Sequence, residues 1–186
     1  ECIFSNEIAF CERDEDERRI IAGLPIKRLP VQYVGWFGNM NASGRFHGAV
    51  KQCNENVSRA LNCIPYRGDV DKSAYMDAWE LFDSAFPSGG AGLGAFSRLI
   101  AMKRPDQFIC INGGNRELIS EYLDLRSSRL KSKGSRIDVY WNEVIGRIRE
   151  SIWWQSDEPT TANKTELKVW KGRAAMLDAI VYREIV

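Results

Sequence analysis

Apolar residues recur at helical spacing in several stretches of the chain. The clearest stretch has aromatic residues at successive steps of four, three and four positions, namely Tyr75, Trp79, Phe82 and Phe86. This spacing is typical of the stripe that an amphipathic helix buries, and Asp71 or Ser73 can cap that helix at its N-terminus. Helices are also predicted over residues 50–61, 95–103, 116–125, 140–154 and 169–181, and the charged segment 12–22 predicts a solvated helix.

Prolines, glycines and polar runs separate these helices. Pro105 limits the helix over 95–103, because a residue that precedes proline disfavours the helical conformation. Residues 38–48 are rich in Gly, Asn and Ser and predict a loop, and residues 127–136 and 157–163 predict polar connections. Residues 31–37 fit either a short strand or the start of a buried helix. Since helices dominate, the pattern predicts a mainly α fold.

The length of the chain fits one domain. With 186 residues, of which 44% are hydrophobic, it can bury a substantial core. We expect a single domain over residues 1–186, with room for two helical lobes. One lobe would combine about 1–70 with 150–186, and the other would hold about 71–149.

The sequence also predicts a cytoplasmic protein. It has no apolar run long enough for a membrane span, and a charged run at residues 13–19 lies where a signal peptide would need an apolar core. Because the chain starts at Glu1, we expect the natural N-terminus to be missing. The five cysteines form no Cys-x-x-Cys pair and there is one histidine, so we expect reduced thiols and no metal site.

Charge is unevenly distributed although the formal net charge is only +1. Residues 98–150 hold 11 Lys and Arg against 7 Asp and Glu, whereas residues 1–97 hold 10 against 13. This surplus predicts either a local phosphate-facing patch or an ordinary solvated helix surface.

The densest glycine cluster lies at residues 87–94, between two predicted helices. Glycines allow a tight turn with accessible backbone N–H groups, and the N-terminus of the next helix adds its positive dipole end. Such a hairpin can bind a phosphate without a side chain, although a flexible helix connection would have the same composition. The backbone contacts would come from Gly90, Gly92, Gly94 and Ala95.

Several motifs follow the hairpin at fixed spacing. They are Gly90 and Gly92, the apolar Leu99-Ile100-Ala101, Arg104-Pro105-Asp106-Gln107-Phe108, the run Ile109-Cys110-Ile111, position 112, and Arg116. Over residues 90–118 this order resembles the helix-hairpin-helix DNA glycosylase superfamily, above all its alkyladenine-excising branch. The resemblance implies a helix-hairpin-helix DNA glycosylase-like fold and double-stranded DNA as the partner, with Arg98, Lys103 and Arg116 as additional DNA contacts.

The chain differs from the family at the catalytic position. The family places an aspartate there, which stabilises the positive sugar that forms as the base leaves, whereas this chain has Asn112. A neutral amide can neither supply that charge nor accept a proton. Either the reaction is lost, another carboxylate such as Asp106 or Glu117 performs it, or the chain carries an inactivating substitution.

Two absences narrow the subclass that the resemblance implies. Lyase-type members carry a lysine at the start of the second hairpin helix, where this chain has Leu93, Gly94 and Ala95, so no Schiff base is expected. The chain also lacks the four-cysteine iron–sulfur loop of another branch, because no cysteine follows Cys110. We therefore expect a monofunctional enzyme without a cofactor.

A glycosylase holds the flipped base between aromatic or apolar surfaces. Trp36 and Phe37, beside Asn39, are the candidates for this pocket, although a Trp-Phe pair is also typical of core packing. His47 could contact a phosphate or orient a water, but a lone loop histidine is usually only solvated.

Three functions remain open from the sequence. The leading hypothesis is a monofunctional DNA glycosylase-like protein in repair or phage defence. A second keeps the fold without the reaction, as a DNA-binding module of a repair, restriction or defence system. A third is a nuclease with an unrecognised metal site.

Overall fold

The computed structural model describes residues 7–26, 44–131, 136–160 and 163–181. Regular structure in these ranges is helical, and no strand occurs within them, which confirms the mainly α prediction. The chain divides into two compact units, Glu1–Lys103 and Arg104–Val186. This division differs from the predicted lobes, because residues 1–70 share a unit with residues 71–103.

The first unit packs its described helices around aromatic side chains. After a single 3-10 turn at Phe10–Glu12 come α1 (Glu15–Ala22), α2 (Gly44–Lys51), α3 (Glu55–Cys63), α4 (Lys72–Ser84) and α5 (Leu93–Lys103). Phe82 of α4 contacts Phe46 of α2 and Phe96 of α5, with ring centroids 6.5 and 5.2 Å away. The predicted stripe therefore forms the core of this unit, with Tyr75, Phe82 and Phe86 buried.

Local signals fix the starts of three helices. Asp14, Asn54 and Asp71 each accept a hydrogen bond from the backbone N–H three residues ahead, which satisfies a donor that the helix itself leaves unpaired. The predicted cap at Asp71 is thus confirmed. The predicted stop before Pro105 is confirmed as well, since α5 ends at Lys103.

The region before α3 differs from the prediction. Residues 44–48 were predicted as part of a loop, yet α2 begins at Gly44. The predicted helix over 50–61 is interrupted, because Cys53 adopts a left-handed backbone with φ 51° and Asn54 starts a new helix. Cys53 is also bonded to Cys11 in a disulfide, with Cα atoms 5.4 Å apart. The expectation of uniformly reduced thiols is therefore wrong for this pair.

The second unit consists of shorter helices. They are α6 (Arg116–Tyr122), α7 (Ser127–Lys131), α8 (Arg136–Val139), a π-helical stretch (Tyr140–Ile145), α9 (Gly146–Glu150), α10 (Ile152–Gln155), α11 (Lys164–Lys171) and α12 (Arg173–Val181). The buried run 108–111 lies against the π-helical stretch, where the Tyr140 hydroxyl donates to the Ile109 carbonyl at 2.6 Å.

Two predicted helices of this unit are broken. The helix over 140–154 ends at Ser151, whose ψ is 139°, and Ile152 is consequently 89% exposed instead of joining the apolar stripe. The helix over 169–181 is divided at Gly172. The polar connection predicted at 127–136 contains the short helix α7. Among the helices of the described ranges, none has the length and apolar character of a membrane span.

Candidate functional site

The glycine-rich hairpin lies on the surface of the first unit. Residues 87–90 are exposed, and Ala91, Gly92 and Gly94 are half-buried. Gly89 and Gly90 have φ values of 73° and 118°, which residues with a side chain rarely adopt. The composition of the turn thus follows from its backbone, and the turn is accessible from solvent.

Within this hairpin the Gly89 N–H donates to the Phe86 carbonyl at 2.7 Å, whereas the N–H groups that follow it have no partner in the part of the chain that the structure describes. The first bond of α5 runs from the Phe96 N–H to the Gly92 carbonyl at 3.0 Å. No acceptor in the described ranges bonds the N–H groups of residues 90–95. Several donors at the positive end of a helix dipole are therefore available to an anion.

Arg45 supports the hairpin from α2, which the sequence analysis did not anticipate. Its guanidinium Nη1 donates to the carbonyls of Ser88 and Gly89, the latter at 2.9 Å. A Cβ atom at Gly90 would lie 2.8 Å from Arg45 Cδ, so the arginine stem occupies the space that this glycine leaves. A surface pocket of about 360 Å³ lies between this part of α2 and residues 85–89. No local sequence signal identifies Arg45, because its partners lie more than forty positions away.

Two predicted DNA-contacting cations are buried instead. Arg98 is 2% exposed and donates from Nε to the Ile21 carbonyl at 3.0 Å. The Lys103 ammonium donates to the Leu61 carbonyl at 2.7 Å and lies 3.8 Å from the centre of the Tyr66 ring. Their predicted phosphate contacts are wrong, because both charged groups are enclosed by the first unit. Ala95 is buried as well, with 4% of its surface exposed.

Several cations of the basic stretch 98–150 are buried or paired within the described residues. Arg98, Lys103 and Arg104 are buried. Others pair with acidic side chains, as Lys131 does with Glu117 at 2.9 Å and Arg129 does with Glu143. Much of the positive charge is thus enclosed or neutralised within the protein.

Asn112 closes a tight loop in the second unit. Its side-chain Oδ1 accepts hydrogen bonds from the Gly114 and Asn115 N–H groups at 2.7 and 3.0 Å. Its own N–H donates to Asn115 Oδ1 at 2.7 Å, and its carbonyl accepts from the Arg116 N–H at 3.2 Å. The half-buried Asn112 side chain therefore holds the backbone that leads into α6.

A buried carboxylate anchors this loop. Asn115 Nδ2 donates to Asp178 Oδ1 at 2.5 Å and to the Cys110 carbonyl at 2.7 Å. Asp178 is 3% exposed and belongs to α12. No sequence pattern identifies Asp178 as this partner, because 63 residues separate it from Asn115.

The carboxylates proposed to replace an aspartate at position 112 are both engaged. Asp106 accepts two hydrogen bonds from Arg104, at 2.9 and 2.7 Å, and one from Gln107. Burial raises the pKa of Asp106, but the hydrogen bonds and charge of Arg104 outweigh this and hold the pKa below its usual value. Lys131 likewise lowers the pKa of the exposed Glu117. A low pKa keeps Asp106 ionised, and its negative charge is paired with the Arg104 guanidinium at 2.7 Å.

The remaining predicted site residues lie at three places along the chain. Arg116 is half-buried in the first turn of α6, in the same unit as Asn112. Trp36, Phe37 and Asn39 lie outside the described residues. His47 lies on α2 and is half-buried, in contrast to the predicted solvated loop.

The second unit also contains alternating tryptophan and arginine side chains. Arg149 lies 4.8 Å from the Trp141 ring centre and 5.9 Å from that of Trp154. Arg173 lies 5.2 Å from the Trp154 ring centre and 4.3 Å from that of Trp170. These cation–π contacts pack Trp141, Trp154 and Trp170 against arginine side chains of the same unit.

Comparisons of the chain with protein-family models, curated proteins and solved structures found no match. The helix-hairpin-helix glycosylase resemblance therefore stays a prediction that depends on the motifs over residues 90–118.

Proposed function

We propose that this protein is a DNA glycosylase-like protein that excises a damaged or modified base from double-stranded DNA. One observation carries the proposal: at the start of α5, the N–H groups of residues 90–95 have no acceptor in the described ranges, and the exposed turn at residues 87–90 leads into them. A phosphate oxygen is the ligand that such donors suit, and a helix N-terminus adds electrostatic attraction. The hairpin would fix the DNA backbone, and a monofunctional reaction would leave an abasic site without a nick.

The chemistry at position 112 limits this proposal. Asn112 Oδ1 already accepts two backbone hydrogen bonds, and an amide carries no charge to stabilise a cationic sugar. These features favour a second function. In it, the chain binds DNA as a module of a repair, restriction or defence system and excises no base. An aspartate at position 112 could accept the same two N–H groups and would bring the negative charge.

DNA binding can be tested with a pair of matched glycine variants. Gly89 and Gly68 both have φ 73°, and a Cβ at either would meet nothing within 4 Å. Gly89→Ala and Gly68→Ala therefore impose similar backbone strain, but only the first alters the hairpin. We expect duplex affinity, measured by fluorescence anisotropy across salt concentrations, to fall for Gly89→Ala alone. Equal affinities, or no salt-dependent binding by the unmodified protein, would refute the proposed contact.

Base excision is tested separately from binding. Duplexes with alkylated or deaminated bases are incubated with the protein and with Asn112→Asp, and alkali then converts abasic sites to strand breaks. Base release, strongest for Asn112→Asp, is expected of a glycosylase. Binding without release by either protein would identify the non-catalytic module.

A further inference from the structure

Asn112 and Gly113 form the only Asn-Gly pair in the sequence. An asparagine side chain can be attacked by the backbone nitrogen of the next residue, and asparagine is among the chemically labile residues of proteins. A following glycine leaves that nitrogen without steric shielding by a Cβ atom. The other asparagines of the chain all precede residues with a side chain.

The loop places hydrogen-bond donors on the Asn112 amide and leaves the Gly113 N–H without an acceptor in the described ranges. The two N–H donors on Asn112 Oδ1 polarise the amide carbonyl and can stabilise negative charge that develops on this oxygen. No acceptor in the described ranges bonds the Gly113 N–H. A Cβ built at Gly113 would meet nothing within 4 Å, so water can reach the pair.

We propose that Asn112-Gly113 is a site of self-catalysed deamidation promoted by the fold. The Gly113 nitrogen loses its proton and forms a bond to Asn112 Cγ. The bond from Cγ to Nδ2 then breaks, and Nδ2 leaves as ammonia, which yields a cyclic succinimide. One water molecule opens the ring, so the net change replaces the side-chain amide by a carboxylate and consumes one water for each ammonia released.

The same donors determine which product forms. Water attack at Cγ restores the normal peptide bond and gives aspartate, whereas attack at the backbone carbonyl gives isoaspartate. Because the Gly114 and Asn115 N–H groups polarise the oxygen on Cγ, they direct water to Cγ and favour aspartate. If the proposed function holds, on which this consequence rests, deamidation would supply the missing negative charge at position 112.

Asn163 provides an internal control for the chemistry. Its Oδ1 also accepts hydrogen bonds from the N–H groups two and three residues ahead, at 2.9 and 3.0 Å. Its next residue is Lys164 instead of glycine. The two asparagines thus share a cradle of donors and differ in the attacking nitrogen.

The test is peptide mass spectrometry of the folded protein during storage in neutral buffer, with fragmentation that separates aspartate from isoaspartate. We expect Asn112 to convert mainly to aspartate, Asn163 to keep its amide, and Gly113→Ala to slow conversion about tenfold, since the added methyl shields the nitrogen. An amide at position 112 as durable as that of Asn163 would overturn the proposal. Conversion at the same rate in denaturant, or mainly to isoaspartate, would overturn the role of the fold.

Base release by fresh protein, aged protein and Asn112→Asp separates this inference from the proposed function. Conversion at position 112 without base release by any of them would uphold the inference and refute the glycosylase. Base release by Asn112→Asp with no conversion in the aged protein would uphold the glycosylase and refute the deamidation site.

Discussion

The hairpin at residues 87–94 and the loop at residues 112–115 are both glycine-rich connections that precede a helix, yet they treat their backbone donors in opposite ways. In the hairpin, the N–H groups of residues 90–95 have no acceptor in the described ranges. In the loop, Asn112 and Asn115 accept the nearby N–H groups with their own side chains. Composition alone would assign both segments the same role.

The two segments differ in the positions of their side-chain hydrogen-bond acceptors. A glycine cluster without Asn, Asp, Ser or Thr at the capping position keeps its donors available for a ligand. The loop that begins and ends with asparagine instead satisfies three of its four donors with its own side chains, and the Gly113 N–H is the exception. A glycine-rich motif therefore indicates an anion site only when its neighbours leave the donors unused.

Opening the closed loop should have the largest effect. Asn115→Ala removes the donors to Asp178 and to the Cys110 carbonyl and the acceptor for the Asn112 N–H. Since a buried carboxylate loses a partner, we expect the free energy of unfolding to fall by about 4 kcal/mol. Urea denaturation measures this change. Asn56→Ala, which removes an exposed hydrogen bond to Ser84, should cost far less, and a similar cost would contradict the anchoring role of Asp178.

Reduction of the Cys11–Cys53 disulfide should affect the hairpin side and not the closed loop. The bond spans 42 residues and ends two residues after α2, the helix that carries Arg45. A crosslink that restricts the unfolded chain in this way stabilises by about 3 kcal/mol. Hydrogen exchange with and without reductant should show faster opening of α2 and the hairpin. A Cys11→Ser/Cys53→Ser variant that still responds to reductant would contradict this assignment.

Closing the open hairpin should weaken DNA binding without destabilising the fold. Gly92 lies at the capping position of α5 and is not among the glycines with a left-handed φ. In Gly92→Asp, the carboxylate can accept the first N–H groups of the helix, which raises stability by a few tenths of a kcal/mol at most. We expect about tenfold weaker duplex binding and a shallower salt dependence. Ser73→Asp adds the same charge at an exposed position in the first turn of α4, without a left-handed backbone, and should bind as the unmodified protein does.

Removing the support of the hairpin should have the smallest effect. Arg45→Ala loses the donors to the Ser88 and Gly89 carbonyls, which are exposed bonds, so we expect a loss of about 1 kcal/mol. Faster hydrogen exchange confined to residues 86–92 would show this local loss of stability. Arg67→Ala removes an exposed ion pair with Glu7 and serves as the control. Equal exchange in the two variants would mean that Arg45 does not hold the turn.

Local chemistry explains which parts of the fold could be predicted. Asp71 as a cap, Pro105 as a stop and the aromatic stripe of α4 depend on neighbours within a few residues. The start of α2 at Gly44 was missed because glycine and polar residues favour loops, whereas the packing of Phe46 on Phe82 and Phe86 stabilises a helix there. The exposure of Ile152 was missed because the apolar periodicity of the sequence continues through Ser151, whereas the helical backbone ends before it.

Of the candidate site, only the backbone of the glycine-rich turn could be predicted from the sequence. The hairpin follows from its glycines, but whether a cation is exposed depends on distant partners. Arg98 finds its acceptor at Ile21, 77 residues away, and no pattern near Arg98 indicates that. The anchoring of Asn115 by Asp178 and the support of the hairpin by Arg45 are equally remote in sequence.

The tryptophans determine what optical experiments on this protein will report. Of the six in the sequence, Trp141, Trp153, Trp154 and Trp170 belong to the second unit. Intrinsic fluorescence will therefore follow mainly that unit, and guanidinium groups stacked on three of these indoles will make its emission sensitive to local melting. An emission-based unfolding curve could leave the loss of the hairpin largely unseen, so a dye or isotope label placed in the first unit is needed to observe it.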